Sequence, residues 1–296
     1  MKKVKQRVIT HRALEPFNKD YFWGESTYEG FADQLSRGFG GLEFDPNPTR
    51  DGIVVWHDGT LERATGGKDM RAFADITMEE LVSVPIVGRG RIATFQELLD
   101  LIRESDSIIN ALHLKSRLQT DEMLERIIKV LDNNRQVFDK LIVFDVKRGT
   151  AEKLKGKFPD LRLVPSVAHP YDIKRYNEAV GGTLLSLEDA LELRKKGLID
   201  GVWGDEWDRA DEDGGNKLLY TKDFFEKVHA AGMFAALVTP ELHGTSPHLL
   251  GGESHADAKD GDILIRRIKE IIEAGADYFC TDHPEEVAEL LSDSKR

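Results

Sequence analysis

Nine short β-forming runs alternate with longer amphipathic stretches along almost the whole chain, and that rhythm leaves few architectures open. The runs are RVITH (7–11), GLEFD (41–45), IVVWH (53–57), IINALHLK (108–115), KLIVFD (140–145), LRLVPSV (161–167), DGVWG (200–204), MFAALVT (233–239) and DYFCTD (277–282). Between them, TYEGFADQLSRG, TFQELLDLIRES, DEMLERIIKVLDN, TAEKLKGKF, LEDALELRKKG, TKDFFEKVHAAG and DILIRRIKEIIEAG carry apolar residues at helical spacing. Several close on Gly, the usual residue after a helix end. Sustained strand–helix alternation builds a parallel sheet covered by helices. Eight such units in about 250 residues suit an α/β fold, the (β/α)8 TIM barrel, with IVVWH as a short addition beside the second strand. A doubly wound open sheet is the runner-up. Against it, no Gly-x-Gly-x-x-Gly opens a helix, and polar residues gather at many different strand ends. Residues 59–93 break the rhythm with Gly, Arg and a short ITMEELVSV helix. The expectation is one domain over 1–296, with a small insertion after the second strand at about 59–93.

Composition narrows the partners. The chain has 296 residues, 40% hydrophobic and 32% charged, as soluble globular proteins do. A net charge of −12 argues against broad contact with nucleic acid or an anionic membrane, since phosphate backbones need clustered cations. A small phosphate held by one or two local cations stays open. The one cysteine, Cys280, leaves no disulfide framework or cysteine metal cluster within the chain and reads as core filler in DYFC. No uncharged apolar run approaches ~20 residues, so no membrane span is expected. The basic start MKKVKQRVITH lacks the apolar stretch of a signal peptide, and the expected location is the cytoplasm. The sequence leaves the oligomeric state open.

The second strand poses a chemical question. In GLEFD, Leu42 and Phe44 alternate with Glu43 and Asp45, so both carboxylates share one face of a strand that should be buried. Two like charges there repel and are costly to desolvate. Reactive groups in a barrel sit at the C-terminal ends of strands. His11 and Arg12 end the first strand, His57 and Asp58 end IVVWH, and His113 and Lys115 alternate with Leu112 and Leu114 on the next. A divalent cation, or Arg12 and Lys115, can neutralise the two acids. Each residue alone has a structural explanation: a hydrogen-bonded rim histidine, a buried charge network without chemistry, a snorkelling lysine. Together, two acids, three histidines, an arginine and a lysine at one barrel mouth favour function.

The order of these residues is familiar. The run HR, EST, then GFGGLEFDPNPTRDGIVVWHDGTLERATGG resembles the glycerophosphodiester phosphodiesterase family, with its His-Arg strand end, Glu-x-Asp, T-x-D-G turn, His-Asp and R-x-T-G-G. The likeness is dense over 10–67 and continues through RIATFQELLDLI, LHLK and the closing turn in CTDHPEE. It implies the barrel already argued from periodicity, and a hydrolase releasing an alcohol and a phosphomonoester from a small phosphodiester. Residue by residue, it implies Glu43 and Asp45 as ligands of one divalent cation (magnesium, calcium or manganese). It implies His11 and His57 as the acid–base pair, and Arg12 and Lys115 as phosphate-binding groups. A cation and an arginine fork suit an anionic diester, whose developing charge must be neutralised. Histidines titrate near neutrality. The family's first nucleophile is thought to be the substrate's neighbouring hydroxyl, giving a cyclic phosphate that water opens.

Three departures matter. LHLK carries His113 where the family usually has a Glu, so His113 replaces the third carboxylate ligand and admits a transition metal. AALVTPEL stands where a Trp-Thr-x-Asn strand is common. GVWGDEWDRADED (201–213) sets Trp203 and Trp207 among acids, either as packing or as a wall over the substrate's alcohol. A sugar phosphodiester substrate, a lyase that stops at the cyclic phosphate and a non-catalytic binding barrel therefore remain as alternatives. In the loop 243–261, His243, His248 and His255 fit no zinc spacing and read as a polar loop beside the mouth. His169, His229 and His283 read as surface or cap residues.

Overall fold

Strand alternation buries one face of the sheet beneath helices and turns the other toward a barrel axis. The computed structural model describes residues 2–16, 18–207, 213, 215–242, 256–258 and 261–293. Its barrel strands are β1 (Val8–His11), β2 (Gly41–Phe44), β3 (Asn110–His113), β4 (Leu141–Phe144), β5 (Arg162–Val164 continuing as Ser166–Val167), β6 (Gly201–Gly204), β7 (Phe234–Val238) and β8 (Tyr278–Thr281). All neighbours pair in parallel, and β1 lies between β8 and β2. Pro165 has no N–H to give and splits β5 into two halves. The lower half pairs with β4 and the upper half with β6. Asp200 N–H donates to Leu163 O at 2.9 Å and Trp203 N–H to Pro165 O at 2.9 Å, which joins β5 to β6 and closes the ring. The expected TIM barrel is the fold.

Leu42, Phe44, Leu112 and Leu114 enter the apolar layer with Phe31, Leu35, Leu98 and Ile102 of the covering helices. Ile9, Ala111, Ile142, Val164, Trp203, Ala236 and Cys280 fill the barrel interior, as expected for Cys280. The register sets His11 beside Glu43 and Glu43 beside Ala111, so His113, two residues beyond Ala111, comes level with Asp45 in the next layer toward the mouth. All seven helices read from the sequence form, and Thr27, Thr94, Thr120, Ser186 and Thr221 cap five of them through side-chain oxygens. Gly38, Gly197, Gly232 and Gly275 follow helices at φ of 77°, 70°, 68° and 115°.

Between β2 and β3, Pro46–Pro48, Ile53–Val55 and Ala93–Thr94 form a separate antiparallel sheet. IVVWH therefore does not lie beside β2 in the barrel. It touches that strand's end where Trp56 N–H donates to Asp45 O at 2.9 Å. Val54, Trp56, Leu61, Phe73 and Ile76 form a small apolar cluster under this segment. No described helix is long and apolar enough to cross a membrane.

Gly41 and Gly156 give contrasting expectations. A Cβ at Gly41 would lie 2.0 Å from the Ile109 carbonyl oxygen, so backbone must move, whereas a Cβ at Gly156, in the helix Arg148–Lys157, meets nothing within 4 Å. Urea unfolding of Gly41→Ala should show a loss of about 1–3 kcal/mol or more. Gly156→Ala should gain about 0.4–1 kcal/mol. Equal midpoints for the two variants would contradict this account of the packing.

Candidate active site

The C-terminal ends of β1, β2 and β3 deliver His11, Glu43 and His113 to one cavity of about 630 Å³, and the segment after Ile53–Val55 delivers His57. Arg12, Lys115, Trp203 and Trp207 line the same cavity. Asp45 is fully buried beneath it. The nine residues singled out in the sequence thus meet at one mouth. Trp203 stacks on Phe144 at 4.1 Å between ring centroids, and Phe144 on His113 at 4.4 Å. Trp207 packs 4.9 Å from Tyr176 at the rim. Both tryptophans are therefore packed and cavity-lining at once. His243, His248 and His255 lie outside the described residues. His169 caps the helix Pro170–Tyr176, and His229 pairs with Asp277 at 2.9 Å, as surface or cap residues do. His283 lies 3.8 Å from Glu286 on the first turn of Pro284–Asp293.

Local backbone aims these groups. Arg12 and Ala13 take φ of 52° and 53°, turning the chain sharply after β1. Arg12 N–H donates to Glu43 O at 3.1 Å, and Ser26 N–H to Arg12 O at 2.8 Å, which holds that turn. The Arg12 guanidinium then lies 3.2 Å from Asp45 and 3.6 Å from Glu25. Lys115 Nζ stands 3.0 Å from Asp45 Oδ1 and donates to the His57 carbonyl at 2.7 Å.

The two acids divide in character. Burial pushes the Asp45 carboxyl up, but Lys115, Arg12 and a hydrogen bond from His113 outweigh it and hold Asp45 well below the usual carboxylate range. Burial and the neighbouring Asp45 charge push Glu43 up to about 8. Burial brings Lys115 down to about 8, against the nearby Asp45 charge, which pulls it up. One imidazole nitrogen of His113 lies 2.9 Å from Asp45 and 3.8 Å from Glu43. No hydrogen bond from a described residue reaches Glu43 Oε2 or Asp45 Oδ2. Glu43, Asp45 and His113 offer ligand atoms all within 4.8 Å of one another, a donor set that fits a single divalent cation.

The other two histidines are each anchored at Nδ1. Asp282 Oδ1 lies 2.9 Å from His11 Nδ1, and Asp58 Oδ1 lies 2.6 Å from His57 Nδ1. Both carboxylates fix the ring planes and favour protons on Nδ1, leaving Nε2 as the basic nitrogen. Burial, reinforced by Arg12, holds His11 well below the ordinary imidazole value and brings His57 down to about 4. Arg63 Nε donates to Asp58 at 2.6 Å and its Nη2 to Glu25 at 3.0 Å, while its guanidinium covers Trp56 at 5.5 Å.

Sequence reading missed Asp282, Glu25 and Asp145 as site residues. Asp282 stood in the quoted closing turn, and Asp145 at the end of KLIVFD, where a barrel places reactive groups. Glu25 stood in the quoted EST, but a loop residue shows no periodicity from which its partners Arg12 and Arg63 could be read.

Comparison with known proteins follows the same outline. The sequence profile of the glycerophosphoryl diester phosphodiesterase family matches residues 11–286. A glycerophosphodiester phosphodiesterase from Bacillus altitudinis is 26% identical over 165 residues, or 53% of this chain and 64% of that protein. The match therefore spans less than two thirds of that relative's length. A glycerophosphoryl diester phosphodiesterase structure from Parabacteroides distasonis superposes with a TM-score of 0.63 at 20% identity, covering 97% of this chain and 86% of its own. An Oleispira antarctica phosphodiesterase in complex with the product sn-glycerol-3-phosphate gives 0.61 at 15% identity, covering 97% and 96%. At these identities the solved structures share the fold, while the profile match covers nearly the whole sequence. The chain belongs to the glycerophosphoryl diester phosphodiesterase family.

Proposed function

We propose that this chain hydrolyses a small glycerophosphodiester-type substrate, with His11 and His57 moving the protons and Glu43, Asp45 and His113 holding one divalent cation. The observation that carries the reading is the pairing of two carboxylate-anchored imidazoles around one cavity that also contains the acid cluster. Family membership supplies the reaction class. The product complex of the Oleispira antarctica relative supports a glycerol-type alcohol. A bound cation supplies Lewis-acid neutralisation of the phosphoryl oxygens.

The chain's own groups account for the rest. Arg12 and Lys115 place two positive charges at the cavity floor, where a phosphodiester's oxygens would be held. Lys115 and Arg117 both donate to the His57 carbonyl, at 2.7 Å and 3.3 Å, and so fix the backbone that carries this imidazole. With both histidines neutral near pH 7, either Nε2 can accept the proton of an attacking hydroxyl. An anionic substrate between them offsets Arg12 and restores the basicity that the other histidine needs to return a proton to the leaving alkoxide. The cavity, about 630 Å³ and walled on one side by Trp203, is large enough for a sugar phosphodiester as well. Release of a cyclic phosphate without water uptake is the second reading, because the same histidine pair serves both steps. Phosphorus NMR of the products separates the two.

His57→Ala should lower kcat/KM by roughly 10²–10⁴ while leaving thermal stability nearly unchanged, and His11→Ala should act similarly. A near-wild-type rate in either variant removes that residue from the chemistry, and inactive wild-type protein across glycerol, inositol and sugar diesters would favour a binding barrel.

The lowered His57 value fixes where the acid limb falls. The base form is present above about pH 4 and is lost as pH falls through that value, so kcat/KM should stay flat from pH 7 down to about 5 and drop near 4. A limb centred at 6.5, the value of a free imidazole, would show that His57 is not the base.

The mixed donor set sets the metal preference. Calcium and magnesium favour all-oxygen shells, while imidazole suits zinc, nickel and cobalt. Activity should be higher with the latter group, and His113→Glu should shift it back toward magnesium or calcium. Identical metal profiles for the two proteins would exclude His113 as a ligand.

A further inference from the structure

One buried acid at the mouth has no role in the chemistry above. Asp145 directly follows β4, is 7% exposed and lines the cavity. Its φ of 66° is a left-handed conformation, uncommon for a residue other than glycine. Three hydrogen bonds hold it there. Asp145 N–H donates to Val164 O at 3.1 Å, Gln119 Nε2 donates to the Asp145 carbonyl at 2.8 Å, and Lys147 N–H donates to Gln119 Oε1 at 2.9 Å. Gln119 Nε2 also lies 2.7 Å from Leu114 O, so a single side chain ties the ends of β3 and β4 together.

The strained turn aims the Asp145 carboxylate at His113. Asp145 Oδ2 lies 3.5 Å from Nε2 of that ring, while Nδ1 lies 2.9 Å from Asp45 and 3.8 Å from Glu43. Stacking on Phe144, at 4.4 Å and 17° between planes, fixes the plane of the imidazole. A neutral imidazole has one donor and one acceptor nitrogen, and a partner on either side selects which is which. Histidines that ligate metals usually give their other N–H to a carboxylate, which orients the ring and raises its basicity.

We propose that Asp145 is a positioning residue for the cation site, accepting the Nε2–H of His113 and turning the Nδ1 lone pair toward Glu43 and Asp45. The proposal rests on the reading of Glu43, Asp45 and His113 as ligands. It also accounts for the departure at LHLK. Replacing a ligand carboxylate by imidazole removes one negative charge from the ligand set, and Asp145 returns that charge behind the ring. Gln119 belongs to the same device, because it holds the turn that aims Asp145.

The test uses cobalt(II) binding to the chelator-stripped protein, read from its visible spectrum and by calorimetry, with no turnover needed. Asp145→Asn should weaken cobalt binding ten- to a hundredfold. In a His113→Glu background the same change should alter affinity less than threefold. In the wild-type protein loaded with zinc, a diamagnetic stand-in for cobalt, nitrogen-15 NMR should show the remaining His113 proton on Nε2. Wild-type affinity in Asp145→Asn, with binding lost in Asp45→Asn, overturns the role of Asp145 and leaves the ligand assignment standing. Wild-type affinity in Asp45→Asn overturns the ligand assignment and this proposal with it. A proton on Nδ1 of His113 in the zinc-loaded protein overturns the proposal even if the variants fail to fold.

Discussion

Asp45 is the charge around which the mouth of the barrel is arranged. It is fully buried, and Arg12 from the end of β1, with Lys115 and His113 from the end of β3, approach it to 3.2, 3.0 and 2.9 Å. An isolated carboxylate at that depth would be untenable, and breaking a buried pair typically costs about 3–5 kcal/mol. Each partner is therefore held by necessity, not by preference. The same contacts set the electrostatics of the neighbours. Glu43 sits on the same strand face with Asp45 claiming the nearer cations, so it retains its proton to about 8. A compact set of two unlike acids and an imidazole is what a divalent cation takes up by displacing protons.

His57 shows a different dependence, since it does not stand on a barrel strand. Its segment belongs to the three-stranded sheet between β2 and β3, and it reaches the mouth through polar contacts. Asp58 orients its ring, Lys115 and Arg117 hold its carbonyl, and Arg63 ties Asp58 to Glu25 on the loop after β1. Glu25 in turn lies beside Arg12. The two lips of the cavity are thus joined by a chain of alternating charges, in which partial burial keeps each pair stronger than a surface ion pair would be. Losing Arg63 would therefore act on His57 without any contact between them.

Much of this was legible in the residue order. All nine β-forming runs became strands, eight of them in the barrel, because strands buried on both sides have to be apolar on one face and continuous in β propensity; IVVWH joined the small antiparallel sheet instead. Pro46–Pro48, Ala93–Thr94 and Leu184–Leu185 were not legible. They are two or three residues long and carry no period of their own, and Pro46–Pro48 contains two prolines. The helix Pro170–Tyr176 escaped notice because only Tyr176 and Asp172 of its seven residues are buried, too few for an apolar stripe. The site residues Glu43, Asp45, His113 and Lys115 could be read because alternation dictates their face. Asp145 broke alternation through a left-handed turn, and sequence offers no sign of that at a residue other than glycine.

The anchoring of His11 links the chemistry to completion of the fold. Its partner Asp282 lies 271 residues away in sequence, just beyond the end of β8, and β8 is the strand that pairs with β1. Asp282 is itself fixed from β7's side. Glu241 accepts from its N–H at 3.2 Å and from the Thr239 hydroxyl at 2.6 Å, and the Thr281 hydroxyl closes the same group. Until β8 docks between β7 and β1, His11 has neither a fixed ring plane nor a selected tautomer, although Arg12, Glu43, Asp45, His113 and Lys115 need only β1 to β3. Long-range closure is the slow and costly part of forming a parallel barrel. The acid cluster can therefore assemble on a partly formed sheet, but a competent pair of imidazoles requires the closed one.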